Sequence, residues 1–248
     1  MIALLAASLS LTSPAYVSAP ARSFLVFSKT TGYRHDAIPD GQEAIRQIAK
    51  DRHWTVEFSE DSNEFEPKNL ARFDGIVFLM TTGDILDADQ KAAMQSFVES
   101  GGGWVGVHSA ADTEYKWDWY GNTLVGAWFQ NHPAQAEATM HIETRKNPTV
   151  KFLPNPWVRK DEWYNYRTNP RANVTVLATV DESTYQGGTM GADHPIIWCH
   201  NVGKGRSWYA GIGHTKESWQ DPLYLRMIAE AMNWSVAKSK RPPGSGSR

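Results

Sequence analysis

Between Gly101 and Gly121 the chain reads GGGWVGVHSAADTEYKWDWYG, so that His108, Asp112 and Glu114 follow directly on a short apolar run. An imidazole grouped with carboxylates can serve general acid/base chemistry, or it can hold a divalent metal that polarises a carbonyl or activates water. The same residue types recur after other apolar runs: Arg34 and His35 after SFLVFSKT, Asp84 within GIVFLMTTGD, and His214 closing GRSWYAGIGH. His108 is flanked by Val107 and Ser109, with Gly106 and Ala110 outside them, and these small flanks favour a sharp strand-to-loop bend of the nucleophile-elbow type. A hydrolytic elbow carries Ser, Cys or Asp at its centre. With histidine there, acyl-enzyme chemistry is disfavoured.

Two chemistries suit these residues. In the first, His108 or His35 is the acid/base, Asp112 or Glu162 is its partner with Glu114 on the same strand tip, and Arg34 stabilises negative charge developing on an enediolate or alkoxide. In the second, His108, His132 and His214 are nitrogen ligands and Glu162 or Asp112 an oxygen ligand for one divalent ion, Zn, Mn or Ni. No HxxxH or HxH spacing occurs, so such ligands must converge from separate loops. Trp163 and Tyr164, in the segment DEWYNY, can wall a sugar subsite, with Asp84 and Trp117 as further substrate contacts. Against this stand plainer readings. A single buried histidine usually just bonds backbone, adjacent carboxylates such as Asp161 and Glu162 are usually solvated, and His194, before a proline, suits a loop-fixing bond.

Elements at regular spacing must position these groups. Ser23–Thr30, Trp54–Asp61 and Asp74–Asp84 read as strands, and helices are expected over 41–53 and 87–100, the latter capped by Asp87. Gly103–Val107 is then a fourth strand. The alternation predicts an α/β fold with a doubly wound, flavodoxin-like, mainly parallel sheet, helices on both faces and chemistry at the carboxyl ends of the strands. Beyond Gly121 the pattern loosens, with a strand-like TMHIET at 139–144 and then a Pro- and aromatic-rich excursion over 156–171. Strands return at 173–183, 195–202 and 205–214, the last two joined as a C-terminal hairpin through Gly203-Lys204-Gly205, and a final helix spans 221–237.

The 248 residues suit one domain over 22–237, and the formal charge of -2 leaves no basic stripe for nucleic acid. The absence of GxxxxGK[ST] argues against nucleotide binding. Residues 1–21 resemble a secretory signal peptide with cleavage before Arg22, although no Lys or Arg precedes the apolar run; export to the periplasm or medium is expected, with a cytoplasmic location as the alternative. No later run is long enough to cross a membrane, and residues 238–248 form a basic Pro/Gly/Ser-rich tail expected to be disordered. Eleven tryptophans and nine tyrosines offer faces for stacking on sugar rings, though most must serve the core.

The segments TTGYRHDAIP, FLMTTGDIL, ESGGGWVGVHSAADTEYKWDWYG, KDEWYNY, VDESTYQGGTMGADHPIIWCH and GRSWYAGIGHTKESW together resemble the ThuA family, named for trehalose utilisation. The resemblance spans about Arg22 to Ala237. It implies a fold similar to class I glutamine amidotransferases without their nucleophilic cysteine, and a role in carbohydrate metabolism on a saccharide or keto-saccharide. A hydrolase, lyase or isomerase is expected on this basis, with a carbohydrate-binding module as the alternative.

Overall fold

The computed structural model describes residues 22–237; the expected leader and tail, 1–21 and 238–248, lie outside them. The chain opens with β1 (Ser23–Phe27), α1 (Ile38–Arg52), β2 (Thr55–Ser59), α2 (Pro67–Leu70), β3 (Gly75–Leu79), α3 (Ala88–Glu99) and β4 (Gly103–Val107). It continues through β5 (Phe129–Asn131), β6 (Ala136–Ile142), β7 (Trp157–Asp161), β8 (Asn165–Tyr166), β9 (Thr175–Val180), β10 (Pro195–Val202), β11 (Gly205–Ala210) and α4 (Pro222–Ser235). Nine strands form one sheet in the order β2-β1-β3-β4-β11-β10-β9-β6-β7, while β5 and β8 pair separately.

The sheet is mixed. From β2 to β11 all neighbours are parallel, and from β11 onward all are antiparallel. β3 and β4 are buried along their whole length, as their unbroken apolar runs require. Asp87 caps α3 with a reciprocal bond to Gln90. Side-chain alternation then shows where the helices lie. A Cβ on Gly103 would meet Ser235 and Val236 at the end of α4, whereas one on Gly205, next to the register partner of Gly103, would meet Val98 of α3. These two helices therefore cover opposite faces.

The end of α4 rests directly on the strand glycines. A Cβ at Gly103 would stand 2.8 Å from the Ser235 carbonyl carbon, too close unless the helix shifts. Gly103→Ala is expected to cost about 1–3 kcal/mol by overpacking and to lower Tm by several degrees, roughly 2–4 °C per kcal/mol for a domain this size. Thermal unfolding followed by circular dichroism checks this; an unchanged Tm would mean that α4 does not bear on β4.

Three strands, β5, β7 and β8, are absent from the expectation above. β7 falls inside the Pro- and aromatic-rich excursion, where the letters WVRKD carry too much charge to suggest a strand. It is an edge strand, so Val158 and Lys160 face solvent while Trp157, Arg159 and Asp161 turn inward. Cys199 lies in β10 as an inert residue, its thiol pushed up to about 12 by burial.

Candidate functional site

The chain bends sharply after β4, and His108 takes the left-handed region with φ 52°. A non-glycine residue pays for that conformation, so its side chain is held in place by its surroundings. The imidazole is fully buried, and its Nδ1 lies 2.8 Å from the Gly211 carbonyl oxygen. A carbonyl only accepts, so Nδ1 carries a proton toward Gly211 and Nε2 is turned to the cluster. Nε2 faces His214 Nδ1 at 3.2 Å and Glu162 Oε2 at 3.3 Å, and the latter two are 3.2 Å apart.

Each corner of this triangle hangs from a different strand end. Glu162 directly follows β7, and His214 lies in the loop after β11. His35, between β1 and α1, completes the group: one atom each from His35, His108, Glu162 and His214 lie within 4.8 Å of one another. Its Nδ1 is 3.3 Å from Ser109 Oγ, and its ring meets those of His108 and His214 edge-on at 4.8 and 5.0 Å.

Behind the triangle sits Asp161, wholly buried. Its carboxylate accepts from the backbone N–H groups of Glu162, Gly213 and His214 at 2.9–3.0 Å, and from Ser218 Oγ. Arg159, two residues back on the same face of β7, supplies the countercharge at 3.4 Å. One side chain thus fixes the backbone that carries two corners.

The electrostatics follow from burial and from these neighbours. Burial, with the nearby His108 and His214, lowers His35 to about 2, so its ring is neutral and retains a lone pair. Burial would raise Glu162, but hydrogen bonds and positive charge from His108 and His214 hold its carboxyl well below the usual range. Burial would lower His214, yet the Glu162 hydrogen bond and charge, helped by Asp161, raise it.

The cluster opens into a cavity of about 490 Å³, within the size range of small-molecule sites, lined also by Tyr33, Asp112, Phe129, His132, Gln135 and Tyr164. Tyr164 packs against His108 at 4.2 Å between ring centroids and against Phe129 at the same distance. Asp112 is set back from the cluster. Its Oδ1 accepts from Tyr115 Oη at 2.5 Å, and burial raises its pKa despite that bond.

Several expected site residues lie elsewhere. His132 is not a corner of the cluster: its Nδ1 sits 3.2 Å from the other oxygen of Glu162, and His35 takes the place expected for it. Arg34 is turned outward onto Glu60 at 2.7 Å, and Asp84 onto Lys116 at 3.0 Å, both in solvent. Glu114 is buried below the tips, accepting from the backbone of Ile85 and Leu86 and pairing with Lys91 at 2.6 Å. Trp163 is core, its Nε1 bonded to the Ala136 carbonyl, and Trp117 packs between Trp119 and Tyr120. Glu162, expected as an acid/base partner or oxygen ligand, stands in the cluster, and Asp161, for which only a solvated reading was given, is fully buried. His194 does fix a loop, through the Tyr164 carbonyl and the Glu182 carboxylate, each at 2.8 Å.

A family model described as ThuA, trehalose utilisation, matches residues 23–235. No curated protein matches the chain. Among solved structures, the chain is similar to a ThuA-like protein from Bacteroides uniformis, with 22% identity and a TM-score of 0.76 over 90% of this chain and 95% of that one. It is also similar to a ThuA-like protein from Parabacteroides merdae, with 18% identity and a TM-score of 0.74 over 90% and 94%. A β-galactosidase from Bacillus circulans shares the fold over 86% of this chain and 31% of its own, at 11% identity and a TM-score of 0.55. No helix among the described residues is long and apolar enough to cross a membrane.

Proposed function

The chain belongs to the ThuA family of trehalose utilisation, and from that premise we propose that it is a carbohydrate-processing enzyme acting on a saccharide or keto-saccharide, with one divalent cation held by His35, His108, Glu162 and His214. The observation that carries this reading is the triangle of His108 Nε2, Glu162 Oε2 and His214 Nδ1, whose edges measure 3.2–3.3 Å. Ligands about 2.0–2.2 Å from a tetrahedral centre stand about 3.3–3.6 Å apart, so these three donors are close to the spacing such an ion needs, and the imidazole and carboxylate set suits Zn, Mn or Ni. The outer bond from His108 Nδ1 to a backbone carbonyl is the usual support of a ligating imidazole.

Such an ion, when bound, polarises a carbonyl or hydroxyl oxygen of the substrate. The chain's own groups do the rest. Tyr164 and Phe129 form an apolar wall for a sugar ring, and His132 closes the outer side of Glu162. Asp112 is the acid/base: Tyr115 fixes Oδ1, Oδ2 makes no hydrogen bond among the described residues, and the raised pKa brings proton exchange nearer neutrality. A keto group acidifies the C–H beside it, so a carboxylate suffices to take that proton without a nucleophile.

Turnover tests this reading. Protein stripped by a chelator and then reloaded with Zn, Mn or Ni is assayed on glucosides and on their keto derivatives. Activity that disappears on stripping and returns on loading is expected; saccharide binding without turnover of any of them would make the domain a binding module.

A pH dependence follows from the same geometry. The raised His214 contributes stability to the metal-free protein that is complete below its ordinary value of 6.5 and is lost as pH rises through the raised value. The lowered Glu162 contributes stability that is present above its ordinary 4.5 and is lost as pH falls through the lowered value. The metal-free pair is therefore most stabilising between these two limits. A cation must displace the His214 proton, so affinity should weaken about tenfold per pH unit below the His214 pKa for each proton released. A competitive chelator titration between pH 8 and 6 reads this directly; a flat profile would remove His214 from the ligand set.

A further inference from the structure

Resting on that reading, we propose that Tyr33 forms an outer subsite that takes the second ring of a two-ring saccharide, so that this residue sets the preference for disaccharides and glycosides over single sugars. Among the described residues, Tyr33 is the sole aromatic with an exposed side chain, at 65%, while the other tyrosines, phenylalanines and tryptophans are at least partly buried. Tyr33 lines the same cavity as His35, Glu162 and His214, so its exposed ring lies where a ligand reaching those groups can cover it.

Tyr33 is also held firmly. Thr82 Oγ1 donates to its carbonyl at 3.0 Å and accepts from the Gly32 N–H at 3.2 Å, and the Thr31 N–H donates to the Thr82 carbonyl at 2.9 Å. The loop is thereby strapped to the tip of β3. An aromatic presented on a fixed backbone loses little freedom when a ligand covers it, which is what a recognition platform needs. Its ring meets His35 edge-on at 4.9 Å, so a ring stacked on Tyr33 adjoins the His/Glu cluster. Its hydroxyl makes no hydrogen bond among the described residues and is available to a sugar hydroxyl. The electron-rich face of a tyrosine suits the C–H face of a pyranose.

The test is calorimetric titration of the metal-loaded protein with glucose and with trehalose, for wild type, Tyr33→Ala and Tyr33→Trp. The expected result is tighter binding of trehalose than glucose by wild type, a loss of about tenfold for trehalose alone in Tyr33→Ala, and recovery in Tyr33→Trp. Equal weakening of both sugars, or no change in either, would overturn the outer subsite while leaving saccharide binding intact. No binding of either sugar by wild type would overturn the subsite and the saccharide reading together.

Discussion

Asp112→Asn is expected to lower kcat by about 10²–10⁴-fold, the contribution of a positioned acid/base, while leaving metal content and Tm almost unchanged. The substitution keeps the volume and an acceptor for Tyr115 Oη but removes the proton exchange. Asp112 lines the cavity yet lies outside the His/Glu cluster, and this separation is what makes the two effects divisible. The check is steady-state kinetics together with elemental analysis on the same preparation. Undiminished turnover would remove Asp112 from the chemistry. Loss of the metal would make it the oxygen ligand in place of Glu162.

Asp161→Ala should have the largest effect on the fold. Three backbone N–H groups and the Ser218 hydroxyl would lose their acceptor, and Arg159, only 7% exposed, would be left with the partly exposed Asp221 at 3.6 Å. Breaking a buried charge pair from one side costs about 3–5 kcal/mol, which lowers Tm by on the order of 10 °C here. Asp161→Asn keeps one acceptor oxygen and should fold, with metal affinity reduced about 10–100-fold because Glu162 and His214 are no longer held in register. Thermal unfolding and a metal titration on the pair of variants decide the matter. An Asp161→Ala protein as stable as wild type would mean that the buried carboxylate does not organise the site.

The parts of this site that were legible in the sequence are those determined locally. The small residues around His108 announce a bend, and the bend is there with φ 52°. His35 and His214 follow apolar runs, and parallel pairing of β1, β3, β4 and β11 brings such tips to one edge. What was not legible is determined by closure of the sheet. β7 is four places from β11 in the strand order, yet Asp161 at its end bonds the backbone of Gly213 and His214. The antiparallel half of the sheet must curl back to achieve this, and no local periodicity encodes that curl. Hence Glu162 could be named from its residue type, whereas Asp161 read as its solvated neighbour when it is the buried hinge of the cluster.

Side-chain direction was the other gap. Arg34, Asp84 and Glu114 stand on the same strand tips as the cluster but find partners of their own, Glu60, Lys116 and Lys91. Position along the chain places a residue at an edge, and only packing decides which way it turns. Tyr33 carried no signal in the sequence, because one tyrosine among nine is indistinguishable until its exposure is known.

The central claim is that the four converging side chains hold a cation. Elemental analysis of untagged protein reloaded with Zn, Mn or Ni, beside His108→Asn, tests it most directly. Asparagine tolerates the left-handed backbone and can still donate to the Gly211 carbonyl, so this variant keeps the bend while deleting Nε2. One equivalent of metal in wild type, and a small fraction of that in His108→Asn at equal Tm, is the predicted result. Equal metal in both proteins, or none in either after reloading, would contradict it.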